Sequence, residues 1–108
     1  KEEVNRADVA ASFQEAVVDV LVTRTVLAAK DHGMKKVAIA GGVAANSSLR
    51  EAMQKACEKN GLSLYYPSPI YCTDNAVMIA SAAYYEYLKG FRSGLDLNAV
   101  PNLKIGQR

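Results

Sequence analysis

Val37-Ala38-Ile39-Ala40-Gly41-Gly42-Val43-Ala44-Ala45-Asn46 is the stretch on which the fold turns. Its first four residues are apolar with no polar alternation, the pattern of a strand covered on both faces. The glycine pair ends that strand, and the residues after Asn46 change period. Leu49, Ala52, Met53, Ala56 and Cys57 recur at helical spacing, with Ser48 and Glu51 set for a capping box and Asn60-Gly61 as the stop. A strand, a glycine turn and a helix in that order form the first half of a right-handed crossover.

Reading outward, residues 6 to 31 carry apolar side chains at Val9, Phe13, Ala16, Val17, Val20, Leu21, Val26 and Leu27, close to a 3.6-residue period. Asn5 can cap that helix, Asp8 complements its positive end, and Gly33 closes it. Leu62-Ser63-Leu64-Tyr65-Tyr66 reads as a second strand, cut off by Pro67 and Pro69. A third helix is expected over residues 74 to 89, with Ala76, Val77, Ala80, Ala83, Tyr84, Tyr87 and Leu88 on its buried face. Residues 90 to 108 form an irregular tail, expected to wrap over the surface through Leu95, Leu97, Val100 and Leu103. The fold class is therefore α/β, helix-strand-helix-strand-helix with a parallel strand pair. Two strands leave both sheet edges unpaired, so further strands are expected from outside these residues or from a second copy.

Composition narrows the function classes. The chain has 108 residues, half of them apolar, and a formal net charge of +2. That is one domain's worth of packed polypeptide, with too little charge to bind nucleic acid by electrostatics alone. No run approaches the roughly 18 apolar residues of a membrane span, and Lys1-Glu2-Glu3 does not open a secretory signal, so a cytoplasmic protein without a membrane partner is expected. Cys57 and Cys72 are too few for a disulfide framework and lack metal-type spacing.

Ligands of open α/β sheets bind beyond the carboxyl ends of the strands. Two motifs fall there if the strands run parallel: Gly41 to Asn46 after the first, and Tyr71-Cys72-Thr73-Asp74-Asn75-Ala76 after the second. Gly41 and Gly42 can let backbone approach a nucleotide closely, or simply make a tight turn. Asn46 can cap the following helix, or offer a donor and an acceptor to a ligand. Asp74 can complement a helix dipole, or ligate a metal, but a metal needs about three or four ligands. The single His32 belongs to a helix end and has no HxxxH companion. Lys35, Lys36, Arg50, Lys55 and Lys59 read as solvated faces, and the six tyrosines as packing. Neither a Walker loop nor a serine-nucleophile motif occurs, so no complete catalytic constellation is present.

Taken together, residues 37 to 50, ending Asn46-Ser47-Ser48-Leu49-Arg50, and residues 72 to 80, Cys-Thr-Asp-Asn-Ala-Val-Met-Ile-Ala, closely resemble the C-terminal region of the TsaD family, also called Gcp, YgjD or O-sialoglycoprotein endopeptidase. Ala11-Ser12-Phe13-Gln14-Glu15-Ala16-Val17-Val18-Asp19 and Gly94-Leu95-Asp96 fit as well, so the likeness covers essentially the whole chain. The resemblance implies a partial actin-like ATPase (ribonuclease H-like) C-terminal lobe, of which residues 1 to 108 are a fragment. It implies a cytoplasmic tRNA-modifying acyltransferase. The family moves a threonylcarbamoyl group from threonylcarbamoyl-AMP to the adenosine next to the anticodon of ANN-reading tRNAs. By the same carry-over Gly41, Gly42 and Asn46 contact the nucleotide. Asp74 is a ligand of one divalent metal, iron or zinc, completed by two histidines of an HxxxH motif in the N-terminal lobe. TsaB and TsaE are the partners implied by analogy. The isolated 108 residues are expected to be inactive.

Two rivals use the same residues differently. A nucleotide-binding lobe of a sugar or acetate kinase would use the glycine pair but give Asp74 no metal role. A noncatalytic module would dimerise through the alanine-rich third helix, giving a fragment homodimer. The older metalloprotease (glycoprotease) label has no nucleophile or zinc-protease motif behind it.

Overall fold

The computed structural model describes residues 4–104 and 106. The elements follow in the order α1 (Arg6–Asp31), β1 (Lys36–Ala38), a 3-10 turn (Gly42–Ala45), α2 (Ser47–Lys59), β2 (Ser63–Tyr65), a second 3-10 turn (Pro69–Tyr71) and α3 (Ala76–Leu88). Helix-strand-helix-strand-helix is thus the observed order. The strands pair in parallel, with Val37 opposite Leu64 and Ala38 opposite Tyr65. Parallel pairing with α2 between the strands is the crossover that the glycine turn foreshadows.

The chain divides into two compact units, the first ending at Asp74 and the second starting at Asn75. In the first, α1 is capped by Asn5, whose side-chain oxygen accepts from the Ala7 amide at 3.0 Å. It ends at His32, with Gly33 in the left-handed region at φ 63°. Val26 and Ala29 of α1, Val37 of β1, Leu49, Met53 and Cys57 of α2, and Leu62 form one buried cluster. Val18, Val22, Ile39, Ala56 and Leu64 pack around it. Met53 is 1% exposed and Cys57 fully buried. Burial pushes the Cys57 thiol up from its ordinary value.

Several expectations need correction here. Strand β1 is not covered on both faces: Val37 is buried while Lys36 and Ala38 are exposed. The apolar run reflects a sheet whose second face has no cover within this unit. The Ser48/Glu51 capping box does not form, because Asn46 caps α2 and Glu51 turns along the helix to Lys55 at 2.6 Å. Of the apolar residues assigned to the face of α1, Val26 is buried, while Val9, Phe13, Ala16, Val17, Val20, Leu21 and Leu27 are exposed, and the buried residues Val26 and Ala29 lie in its second half.

The second unit holds α3 and the tail. Asn75 caps α3 by accepting from the Met78 amide at 3.1 Å, so the helix starts two residues later than its sequence pattern suggests. None of its residues is buried. Tyr84 and Tyr87, expected on a buried face, are each 58% exposed. Over residues 90–104 the tail is irregular as expected, residues 105, 107 and 108 lying outside the described residues; Leu97, Val100 and Leu103 line a hollow with Tyr87 and Phe91, whereas Leu95 is wholly exposed. No helix among the described residues is long and apolar enough to cross a membrane.

Candidate functional site

The turn after β1 is built on backbone that only glycine adopts readily. Gly41 sits at φ 88° and ψ 174°, outside the range open to L side chains, and its carbonyl accepts from the Ala44 amide at 3.0 Å. Gly42 opens the 3-10 turn. A Cβ at either glycine would meet no atom within 4 Å, so the space beside both is open to a ligand. This turn delivers Ala44, which is buried, and then Asn46 at the start of α2.

Asn46 does two things at once. Its Oδ1 accepts from the Leu49 amide at 2.9 Å, the capping role weighed from sequence. Its Nδ2 donates to Gln14 Oε1 at 2.9 Å, and Gln14 Nε2 donates to Ser48 Oγ at 3.2 Å. The carboxamide plane is therefore held by an α1 side chain 32 residues away. Asn46 and Gln14 stand on the rim of a hollow of about 320 Å³ otherwise walled by apolar side chains, among them Phe13, Val17, Leu21 and Val43. Two oriented carboxamides beside an apolar wall suit a ligand with a flat apolar body and polar edges.

The second motif leaves β2 through Pro67 and the 3-10 turn at Pro69–Tyr71. Cys72 is buried, 4% exposed, and Asp74 is exposed. Asp74 is not part of the wall around Asn46. It lies one residue ahead of the α3 cap rather than within the helix. No group of three or more His, Cys, Asp and Glu side chains that could hold a metal ion occurs among the described residues. Asp74 could supply one ligand of a metal, and about two or three more would have to come from outside the described residues.

Because the strands are parallel, both motifs leave the same edge of the sheet. Arg50 joins them. Its Nε donates to the Ala44 carbonyl, and its Nη2 donates to the Pro67 carbonyl at 3.0 Å and to Cys72 Sγ at 3.1 Å. Its guanidinium lies 4.6 Å from the centre of the Tyr66 ring. Arg50 is therefore half-buried, not the solvated side chain its charge suggested. A sequence signal existed: Arg50 lies three residues before Met53 and seven before Cys57, on the stripe of α2 that faces inward. Gln14 offered no such signal, because its partners come from a distant helix start.

A parallel strand pair with a glycine turn and a capped helix start at its carboxyl edge defines an α/β protein of the kind that binds ligands at that edge. Comparison with known proteins makes the assignment sharper. Residues 2–81 match the family model for TsaD, tRNA N6-adenosine threonylcarbamoyltransferase, and the chain belongs to that family. It is 61% identical over 107 residues to a tRNA N6-adenosine threonylcarbamoyltransferase of Clostridium botulinum strain 657, covering 99% of this chain and 32% of the relative. To the protein of the same name from Clostridium novyi it is 62% identical over 107 residues, covering 99% of this chain and 31% of that one. The chain thus spans about a third of the length of these curated relatives.

Proposed function

We propose that this chain supplies the nucleotide-facing part of a C-terminal actin-like lobe in a tRNA-modifying acyltransferase. The enzyme moves a threonylcarbamoyl group from threonylcarbamoyl-AMP to the exocyclic amine of the adenosine next to the anticodon of ANN-reading tRNAs. The observation that carries the reading is the family match over residues 2–81, which includes both motifs at the sheet's carboxyl edge. In the transfer a carbon–nitrogen bond forms to the carbamoyl carbon, the bond from that carbon to the phosphate oxygen breaks, and AMP leaves while the amine gives up a proton.

The roles follow from what each residue can reach. Gly41 and Gly42 leave room for the adenylate to lie against backbone. Asn46, its amide fixed by Leu49 and Gln14, presents its carboxamide to the nucleoside at the apolar hollow. Asp74 contributes one carboxylate toward a divalent metal, iron or zinc. The other ligands come from outside these residues, on the pattern of the histidine pair the family carries. TsaB, TsaE and tRNA are the partners of this reading, and the cytoplasm is its setting. The 108 residues alone are inactive, because one carboxylate and half a nucleotide pocket do not make a transferase. Kinase-like chemistry would use the same glycine turn, but the family match goes to the transferases.

The test is made in the protein at its full natural length. Asp74→Ala is expected to remove bound metal and threonylcarbamoyl transfer while leaving the fold intact by circular dichroism. Stoichiometric metal in that variant would show that Asp74 is not a ligand. Transfer catalysed by the purified 108 residues would overturn the need for the remaining chain.

A further inference from the structure

We infer that Arg50 is a positioning residue that sets the loop ahead of Asp74 against the loop ahead of Asn46, so that the two motifs act on one donor molecule. The inference rests on the donor-site reading above and adds a residue to it. One guanidinium reaches three acceptors on two separate segments: the Ala44 carbonyl on the glycine turn, and the Pro67 carbonyl and Cys72 Sγ on the segment after β2. Ala44 stands two residues before Asn46, and Cys72 two residues before Asp74. The β1 and β2 ladders fix where each segment leaves the sheet, yet both strands are only three residues long. Beyond their ends Arg50 links the two segments with three hydrogen bonds.

The chemistry of the side chain suits that task. Arginine presents several donors in a rigid planar fork, and its flat face stacks on an aromatic ring, here Tyr66 at 4.6 Å. Lysine carries one point charge and cannot span Ala44, Pro67 and Cys72 together. The thiol of Cys72 is held in turn, with the Ser68 carbonyl 3.7 Å and the Pro67 carbonyl 3.9 Å from its Sγ. Nε and Nη2 are engaged by the two loops, and it is through those loops that the side chain acts on the chemistry.

Two readouts on Arg50→Met and Arg50→Lys in the protein at its full natural length test this. Hydrogen exchange reports the cross-link. In both variants the amides of residues 68–76 are expected to exchange about 10-fold faster, with those of Val37 and Ile39 unchanged. Steady-state transfer reports the positioning. The turnover number is expected to fall about 100-fold in Arg50→Met while KM for threonylcarbamoyl-AMP stays within about threefold, since misplacing reacting groups by an ångström costs that order in rate. Arg50→Lys, which keeps the charge but loses the fork, is expected to follow Arg50→Met. Unchanged exchange over residues 68–76 would overturn the cross-link, and so would global unfolding of both variants. Faster exchange with a normal turnover number, or full rescue by lysine, would overturn the positioning role. Absence of transfer in the unsubstituted protein would instead sink the donor-site reading, with hydrogen exchange still deciding the cross-link.

Discussion

The unit ending at Asp74 and the unit that follows it are built from similarly apolar sequence, yet among the described residues only the first has a buried core. Seven residues of the first, from Val26 to Leu62, form its buried cluster, and Ala44 and Cys72 are buried under the loops beside it. Helix α3, the most apolar of the three, has no buried residue. Its Val77, Met78, Ile79, Tyr84 and Leu88 are all more than half exposed. What separates the units is a partner element. Helices α1 and α2 close on the sheet within the first unit, whereas within the second unit the tail meets α3 through Arg92, which donates to the Tyr87 carbonyl at 2.9 Å and stacks 3.6 Å from its ring. Hydrophobicity supplies the drive to bury, and topology decides whether there is anything to bury against.

That contrast can be broken by substitution in the 108-residue chain. Met53→Ala removes a side chain that is 1% exposed at the centre of the first unit and is expected to cost about 2–5 kcal/mol in urea unfolding. A cost below about 1 kcal/mol would mean the cluster is not a packed core. Asn46→Ala loses the α2 cap and the Gln14 contact and is expected to cost about 1 kcal/mol, whereas Asn46→Asp keeps the capping oxygen and should recover most of it. Equal losses in the two variants would assign the effect to something other than capping.

Alkaline pH probes the same core through Cys57. Its folded thiol titrates above the ordinary value of 9.0 because burial disfavours the thiolate. The unfolded chain therefore releases that proton first. The stability tied to this thiol is complete below about pH 9 and is lost as pH rises from there through the folded value. Cys57→Ala should flatten that alkaline decline, and an unchanged pH profile would refute the assignment. The smallest effect is expected in the second unit: Ile79→Ala, at a position 66% exposed, should change stability by less than about 0.5 kcal/mol.

The legible parts of the fold were those set by local chemistry. The limits of α1, with Asn5 and Gly33 at its ends, and the stop at Asn60 and Gly61 follow from residues within one turn of each boundary. The parallel pair was legible from a strand, a helix and a strand in sequence. The capping box at Ser48 and Glu51 was misleading because Asn46 competes for the same amides and Lys55 offers Glu51 a nearer charge. Tyr84 and Tyr87 misled for a different reason, since periodicity marks a face and does not say what covers it. Among the candidate site residues, Gly41, Gly42, Asn46 and Asp74 stood out as residue types at turn and helix-start positions. Gln14 did not, because its role depends on a contact with Asn46 32 residues away, and for Arg50 the helical stripe shared with Met53 and Cys57 marked the inward face but not its partners Pro67 and Cys72.

The most direct test of the account is a crystal structure of the protein at its full natural length with a non-transferable analogue of threonylcarbamoyl-AMP. The account predicts the adenylate against Gly41 and Gly42, the Asn46 carboxamide within about 3 Å of the nucleoside, and Asp74 beside the carbamoyl end of the same molecule. An analogue seated elsewhere, with the loops of Asn46 and Asp74 turned to separate faces, would contradict it.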